Sequence, residues 1–268
     1  MVKFYDSITP DLQEWAMKQA VFFVASAPLH GEHINLSPKG LPSSSFAIIN
    51  PNLCAYVDAT GSGIETIAHL QENGRCTVMF CSFDTSPRIM RFFCKGRAVA
   101  WNEPGFDDWL KRMGGKSFAG ARAVILLDVF KAQTSCGFGV PLLATKTDPS
   151  IPNKTTAFLD DRNTLGHWSG KYVEQGIIDE YRASNNRRSL DGLPGLRIAR
   201  RHGGEYLFLG DVRAKILKTL RASPFPNILV LALVAILASV LTTVSLYLSG
   251  LLIVQPGTSG ITLGTREL

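Results

Sequence analysis

Short apolar runs broken by Gly, Pro, Asn or Ser fill the first half of the chain. Thr9 and Pro10 open a helix reaching about Gln19, with a capping hydroxyl and the proline in the first turn. Ala20–Ala27, β-branched or aromatic in its middle (Val21, Phe22, Phe23, Val24), predicts a buried strand. After a turn at Pro28–Glu32, further strands are expected at His33–Leu36, Phe46–Ile49 and Leu53–Asp58, the last two joined by Asn50-Pro51-Asn52. Ile64, Ile67, Ala68 and Leu70 give an apolar face to a helix over Ile64–Asn73, which Gly74 ends. Strands at Cys76–Ser82, Arg88–Trp101 and Arg122–Gln133 surround a short helix at Phe106–Met113.

These connections are too short for repeated crossover helices, so the strands must pair antiparallel. The expected class is α+β: a six- to seven-stranded antiparallel barrel, closed or nearly closed, with flanking helices. Beyond Pro141 the pattern turns helical, with an arm near Thr156–Ser184 carrying Trp168, Tyr172, Val173, Ile177, Ile178 and Tyr181. A Gly-, Pro- and Arg-rich linker at Asn185–Arg201 and a helix over Glu205–Leu220 follow.

Ile228–Val254 contains 27 consecutive residues without a charge. As a helix it would be about 40 Å long, against a hydrocarbon core of about 30 Å. It predicts a C-terminal transmembrane helix, tilted within the bilayer. Ala235, Ser239 and Thr243 form a small-residue row of the kind that pairs helices. The expected plan is a barrel at 1–145, arm and linker at 146–200, a basic juxtamembrane segment at 201–226, the span at 227–254 and a translocated tail at 255–268.

The formal charge is +6, but its location matters more than its size. Between Arg182 and Arg221 lie ten basic residues against Asp191, Glu205 and Asp211, a surplus of seven that leaves the remainder at −1. Crowding of cations beside an apolar span fits a cytosolic collar, not a nucleic-acid face. The N-terminal domain is therefore expected in the cytosol. A span of this length with a basic-poor tail suits the endoplasmic reticulum or another secretory membrane better than the mitochondrial outer membrane. Cys54, Cys76, Cys81, Cys94 and Cys136 form no CxxC pair and have no His at zinc-ligand spacing, so reduced thiols and no metal site are expected.

No GxSxG, HExxH or GxxxxGK[ST] is present, and the five histidines are scattered. That demotes hydrolases and ATPases and leaves the catalytic residues unassigned. Three segments carry the candidate chemistry: His33-Ile34-Asn35-Leu36-Ser37-Pro38-Lys39-Gly40, Asp58-Ala59-Thr60-Gly61-Ser62-Gly63-Ile64-Glu65-Thr66, and Pro87 to Phe93 with Arg88 and Arg91. A lysine and hydroxyls at a strand end, a Gly/Ser loop opening a helix and arginines on another strand could together hold a phosphate. A strand-end turn beside solvated arginines explains the same spacing.

The wording of these segments, together with Glu72-Asn73-Gly74-Arg75, Met79-Phe80-Cys81 and Thr134-Ser135-Cys136-Gly137-Phe138-Gly139-Val140-Pro141, resembles the pyridoxamine 5′-phosphate oxidase-like family of flavin-binding split barrels. The resemblance covers Phe4 to Leu196. It implies a homodimer sharing two FMN sites and a small-molecule substrate, with Ser37, Lys39, Ser62, Thr66, Arg88 and Arg91 contacting the cofactor and Cys136 near the rim. Where better-known oxidases carry an Arg-Lys pair, this sequence has Glu65-Thr66, and their C-terminal tryptophan-arginine segment has no match. The resemblance thus implies an FMN-dependent oxidoreductase of unassigned substrate, or alternatively a flavin- or heme-binding membrane protein without turnover.

Overall fold

The computed structural model describes residues 2–29, 31–147, 149–151, 154–160, 164–189, 191–222, 226–248, 252–254 and 261–263. The chain divides into two compact units, Met1–Trp168 and Ser169–Leu268.

The first unit begins with β1 (Lys3–Tyr5), α1 (Pro10–Met17), β2 (Val21–Ser26), β3 (Asn35–Gly40) and α2 (Pro42–Ser45). It continues through β4 (Phe46–Asn50), β5 (Leu53–Ala59), α3 (Glu65–Asn73), β6 (Arg75–Cys81), β7 (Arg88–Ala100), α4 (Phe106–Arg112) and β8 (Ala121–Cys136). A hairpin of β9 (Leu142–Thr147) and β10 (Thr155–Asp160) follows, and the division between units falls inside α5 (Thr164–Glu174).

The eight-stranded sheet runs β3-β2-β6-β7-β8-β5-β4, with β1 beside β8, and every pairing is antiparallel. Phe22 of β2 and Phe46 of β4 lie near opposite ends of that path, yet their rings are 5.1 Å apart. In a flat sheet five strand spacings would separate them by about 24 Å, so the sheet curls on itself. β3 and β4 remain its two ends, linked by α2, which makes the barrel split as expected. Alternation supplies the core: Phe22, Val24, Val78, Phe80, Met90 and Phe92 all point inward and are fully buried. Ala123–Leu127 is buried on both faces, because alternate residues enter the barrel or pack beneath Trp109 and Leu110 of α4.

Several boundaries differ from the sequence expectation. The strand expected at His33–Leu36 lies at Asn35–Gly40 and includes Pro38. β3 is an edge strand, where a residue without an N–H leaves no ladder bond unmade. The arm expected from Thr156 begins instead with β10, whose Thr155-Thr156-Ala157-Phe158 favours a strand paired with β9. The Thr9 hydroxyl donates to the Asp11 carboxylate and does not cap α1. Gly74 ends α3 as expected, in the left-handed conformation at φ 70°.

The second unit contains α6 (Ile178–Asn185), α7 (Arg197–His202), α8 (Leu207–Ala222), α9 (Pro226–Leu248) and a hairpin of β11 (Leu252–Val254) with β12 (Ile261–Leu263). α7 forms within the segment expected as linker. The helix expected over Ile228–Val254 is described to Leu248, and Leu252–Val254, rich in β-branched residues, pair as a strand instead. Among the described residues no helix is long and apolar enough to cross a membrane, so the expected span finds no support there. Many side chains in the first half of α9 and most of the tail 255–268 lie outside the described residues. Within α9 the Ser239 and Thr243 hydroxyls donate to the carbonyls of Ala235 and Ser239, each at 2.8 Å.

Candidate functional site

A cavity of about 420 Å³ opens where the two ends of the curled sheet approach each other. Its wall comes from β3 (Ser37 to Gly40), Ser45 of α2, the end of β5 and its loop (Val57 to Gly61, Gly63), the start of α3 (Glu65, Thr66), Phe118 and Arg122.

β3 reverses the usual barrel pattern. Asn35, Ser37 and Lys39 are half-buried on one face, while Leu36 on the other is 62% exposed. The inward residues are held by one another and by their neighbours. Ser37 Oγ donates to Asn35 Oδ1 at 3.1 Å, and Asn35 Nδ2 donates to Thr66 Oγ1 at 2.9 Å. That row joins the edge strand to the first turn of α3. A polar face turned inward on an otherwise apolar barrel is the local inconsistency expected of a functional surface.

The charged centre is Asp58, only 2% exposed. Lys39 Nζ donates to its Oδ1 at 2.9 Å and Arg122 Nε to its Oδ2 at 2.8 Å. Two cations compensate one buried carboxylate, which satisfies the requirement that a buried charge be paired. Each keeps donor capacity: an ammonium has three N–H groups and a guanidinium five. Asp58 therefore orients Lys39 and Arg122 on the cavity wall without exhausting them. Tyr56, one inward position earlier on β5, is fully buried with its hydroxyl unpartnered, and Lys39 Nζ lies 5.6 Å from its ring centroid. Burial, reinforced by the Asp58 charge, pushes its phenol well up and keeps it protonated at neutral pH.

The loop before α3 places Gly61 and Gly63 on the wall and leads into the helix start, where first-turn N–H groups lack intrahelical partners. The Glu65 side chain folds back over Gly63 and leaves no room there for a Cβ. The charged groups on the wall, Lys39, Arg122, Asp58 and Glu65, sum to zero. Any preference of this wall for an anion would have to come from the orientation of donors rather than from net charge.

Of the six residues that the sequence suggested, Ser37, Lys39 and Thr66 are brought together here. Ser62 belongs to the loop, but Gly61 and Gly63 on either side of it form the wall. Arg88 and Arg91 stand elsewhere, on β7: the Arg88 guanidinium lies 5.6 Å from the Trp15 ring, and Arg91 Nη1 donates to Gln133 Oε1 at 3.4 Å. Met90 and Phe92 point into the core, so Arg91 between them faces out. Asp58 opens one of the three candidate segments but was not singled out, and Tyr56 and Arg122 lie outside them; only the alternation of Tyr56 with Asp58 on a strand hinted at the arrangement. Cys136 is exposed and off this cavity; Cys54, Cys76, Cys81 and Cys94 are free and buried. No group of three metal-ligating side chains occurs among the described residues.

No family model matches the chain. It is 54% identical over 209 residues to the pyridoxamine 5′-phosphate oxidase family protein ustO of Aspergillus flavus, covering 78% of this chain and 84% of that one. Among solved structures, HupZ of Group A Streptococcus aligns over 46% of this chain and 89% of its own, at 19% identity and TM-score 0.37. An FMN-binding protein from Syntrophomonas wolfei aligns over 45% and 84%, at 16% identity and TM-score 0.33.

Proposed function

Because the chain belongs to the pyridoxamine 5′-phosphate oxidase family, we propose that the cavity beside Asp58 holds the phosphate end of FMN and that the protein is an FMN-dependent oxidoreductase acting on a small molecule. The observation that carries this reading is the pair Lys39 and Arg122, set on one buried carboxylate at the mouth of a glycine loop and a helix start. The residues fit such a group. The volume falls within the usual range for ligand sites, about 300–1,000 Å³, and the wall combines two cations, hydroxyls and free helix N–H groups.

FMN, when bound, supplies the electron transfer itself. The chain supplies the rest. Lys39 and Arg122 bind the phosphate oxygens, Asp58 holds both cations at the wall, and Asn35 fixes the Thr66 hydroxyl next to the helix start. Phe118 provides an apolar wall. Protein purified as the full chain should show flavin absorption and release FMN on denaturation; a colourless protein that takes up no added FMN rejects the reading.

A second reading, a cofactor-binding protein without turnover, rests on the same cavity, since the wall that would hold the phosphate supplies no assigned catalytic residue. No histidine lines the cavity, so flavin suits that reading better than heme. Peroxide release from pyridoxamine phosphate at no more than the rate of free flavin would favour it.

Homodimerisation is part of the proposal. Ile34 and Leu36, 78% and 62% exposed at the β3 edge, give a second copy an apolar surface to cover. So is a membrane tether with the first unit in the cytosol, in the endoplasmic reticulum or another secretory membrane. It is supported by the uncharged run Ile228–Val254 in the sequence and by the basic segment before it. Extraction of the full chain from membranes by alkaline carbonate alone would reject the tether.

A further inference from the structure

Helix α8 carries apolar residues on two faces. Its half-buried face has Leu207, Gly210, Asp211 and Ala214, and Arg200, only 3% exposed, donates from Nη1 to Asp211 Oδ1 at 2.7 Å and from Nη2 to Glu205 Oε1, just ahead of the helix, at 2.9 Å. Gly210 is needed where α8 passes this network, since a Cβ there would lie 2.7 Å from Arg200 Nη2. Anchored that way, the helix turns a second set of apolar residues outward. Phe208, Val212 and Ile216, at i, i+4 and i+8, are 78%, 42% and 43% exposed, and Leu209 beside them is 64% exposed.

A stripe of this kind ordinarily supplies the contact that holds a helix to its domain. Here Leu207, Ala214 and the ion network hold the opposite face, and this stripe is left for another surface. By helical periodicity Arg213 and Lys215 border it on opposite sides. Apolar residues flanked by long basic side chains match the cross-section of a bilayer surface, with acyl chains below and headgroup phosphates at the rim. Ten of the thirteen charged residues between Arg182 and Arg221 are basic, which selects anionic headgroups. The helix also leads directly towards the uncharged α9.

We propose that α8 is an interfacial helix that lies in the surface of an anionic membrane, with Phe208, Val212 and Ile216 inserted among the acyl chains and Arg213 and Lys215 on lipid phosphates. This site is separate from the cavity at Asp58, and it does not require α9 to cross the bilayer.

The four tryptophans, Trp15, Trp101, Trp109 and Trp168, all precede α8. The difference in emission between a full-chain Phe208→Trp variant and the unaltered protein therefore isolates the new indole. With vesicles of phosphatidylcholine and phosphatidylserine, that emission should shift to shorter wavelength and be quenched when the acyl chains are brominated. Both effects should be lost in vesicles without phosphatidylserine and in a variant that adds Arg213→Gln and Lys215→Gln. Emission typical of water, unaffected by bromine, overturns the proposal. So does a shift without quenching, which would place the stripe against protein. Equal quenching without phosphatidylserine removes the anionic requirement and overturns it as well. Val212→Trp provides the same readout if the first variant does not fold.

Discussion

Asp58 and Arg122, 64 positions apart in the chain, meet at 2.8 Å because β5 and β8 run antiparallel with Asp58 opposite Ala123. Register alone brings them together. Breaking a buried ion pair costs about 3–5 kcal/mol, but Lys39 and Arg122 are 25% and 19% exposed and therefore partly screened. Asp58→Asn should lower the unfolding free energy by about 1–3 kcal/mol and weaken FMN binding by misplacing both cations. Urea denaturation followed by tryptophan fluorescence measures the first effect, and an unchanged midpoint would show that the carboxylate bears no such load.

Glu65 lies over Gly63 on the wall proposed to receive a dianion. Neutralising it removes one repulsive charge, so Glu65→Gln should tighten FMN binding about fivefold at low salt, with a smaller gain at high salt. Fluorescence quenching of titrated FMN reads this directly. Weaker binding in the variant would mean that Glu65 assists the ligand.

The position of Thr66 depends on how closely α3 approaches the sheet. At Gly96 of β7 a Cβ would lie 2.8 Å from Leu70 Cδ2 and 3.1 Å from Leu127 Cδ2. Gly96→Val should push the helix outward, lower stability by about 1–3 kcal/mol and loosen the Asn35–Thr66 bond. Unchanged thermal unfolding and FMN affinity would contradict this packing.

In the second unit the Arg200 hydrogen bond, with the charges of Arg188 and Arg200, holds the Glu205 carboxyl below its ordinary value of 4.5. A depressed carboxyl contributes stability above its unfolded pKa and loses that contribution as pH falls through the folded one. Protection factors for the amides of α7 and α8, taken relative to the intrinsic exchange rate at each pH, should therefore be high at neutral pH and fall as pH drops below about 4.5, and Glu205→Gln should remove that dependence.

Much of the barrel was legible because alternation is a strong local signal: Phe22 with Val24, Val78 with Phe80, and Met90 with Phe92 mark their strands without any knowledge of the partners. The site was half legible. Ser37, Lys39 and Thr66 sit in short segments whose residue types suggest an anion, whereas Asp58 and Arg122 become a pair only through a register that no local pattern states. Arg88 and Arg91 looked equivalent to Lys39 as cations on a strand, but Met90 and Phe92 enter the core and turn Arg91 outward, while Arg88, on their face, begins the strand beside Trp15 and away from the cavity. α9 was legible as apolar. Its end was not, since the β-branched Ile253 and Val254 continue the hydrophobic run while pairing as a strand.

If Lys39 and Arg122 recognise a phosphate, FMN and riboflavin, which share the ring and differ only in that group, must bind with different affinity. Equilibrium titration of the cofactor-free full chain should show FMN binding about tenfold or more tighter than riboflavin, as charge-assisted bonds of about 1.5–3 kcal/mol require. That preference should largely disappear in Lys39→Ala. Equal affinity for the two flavins, or a preference for FMN that survives Lys39→Ala and Arg122→Ala unchanged, would mean that these two cations do not read the phosphate.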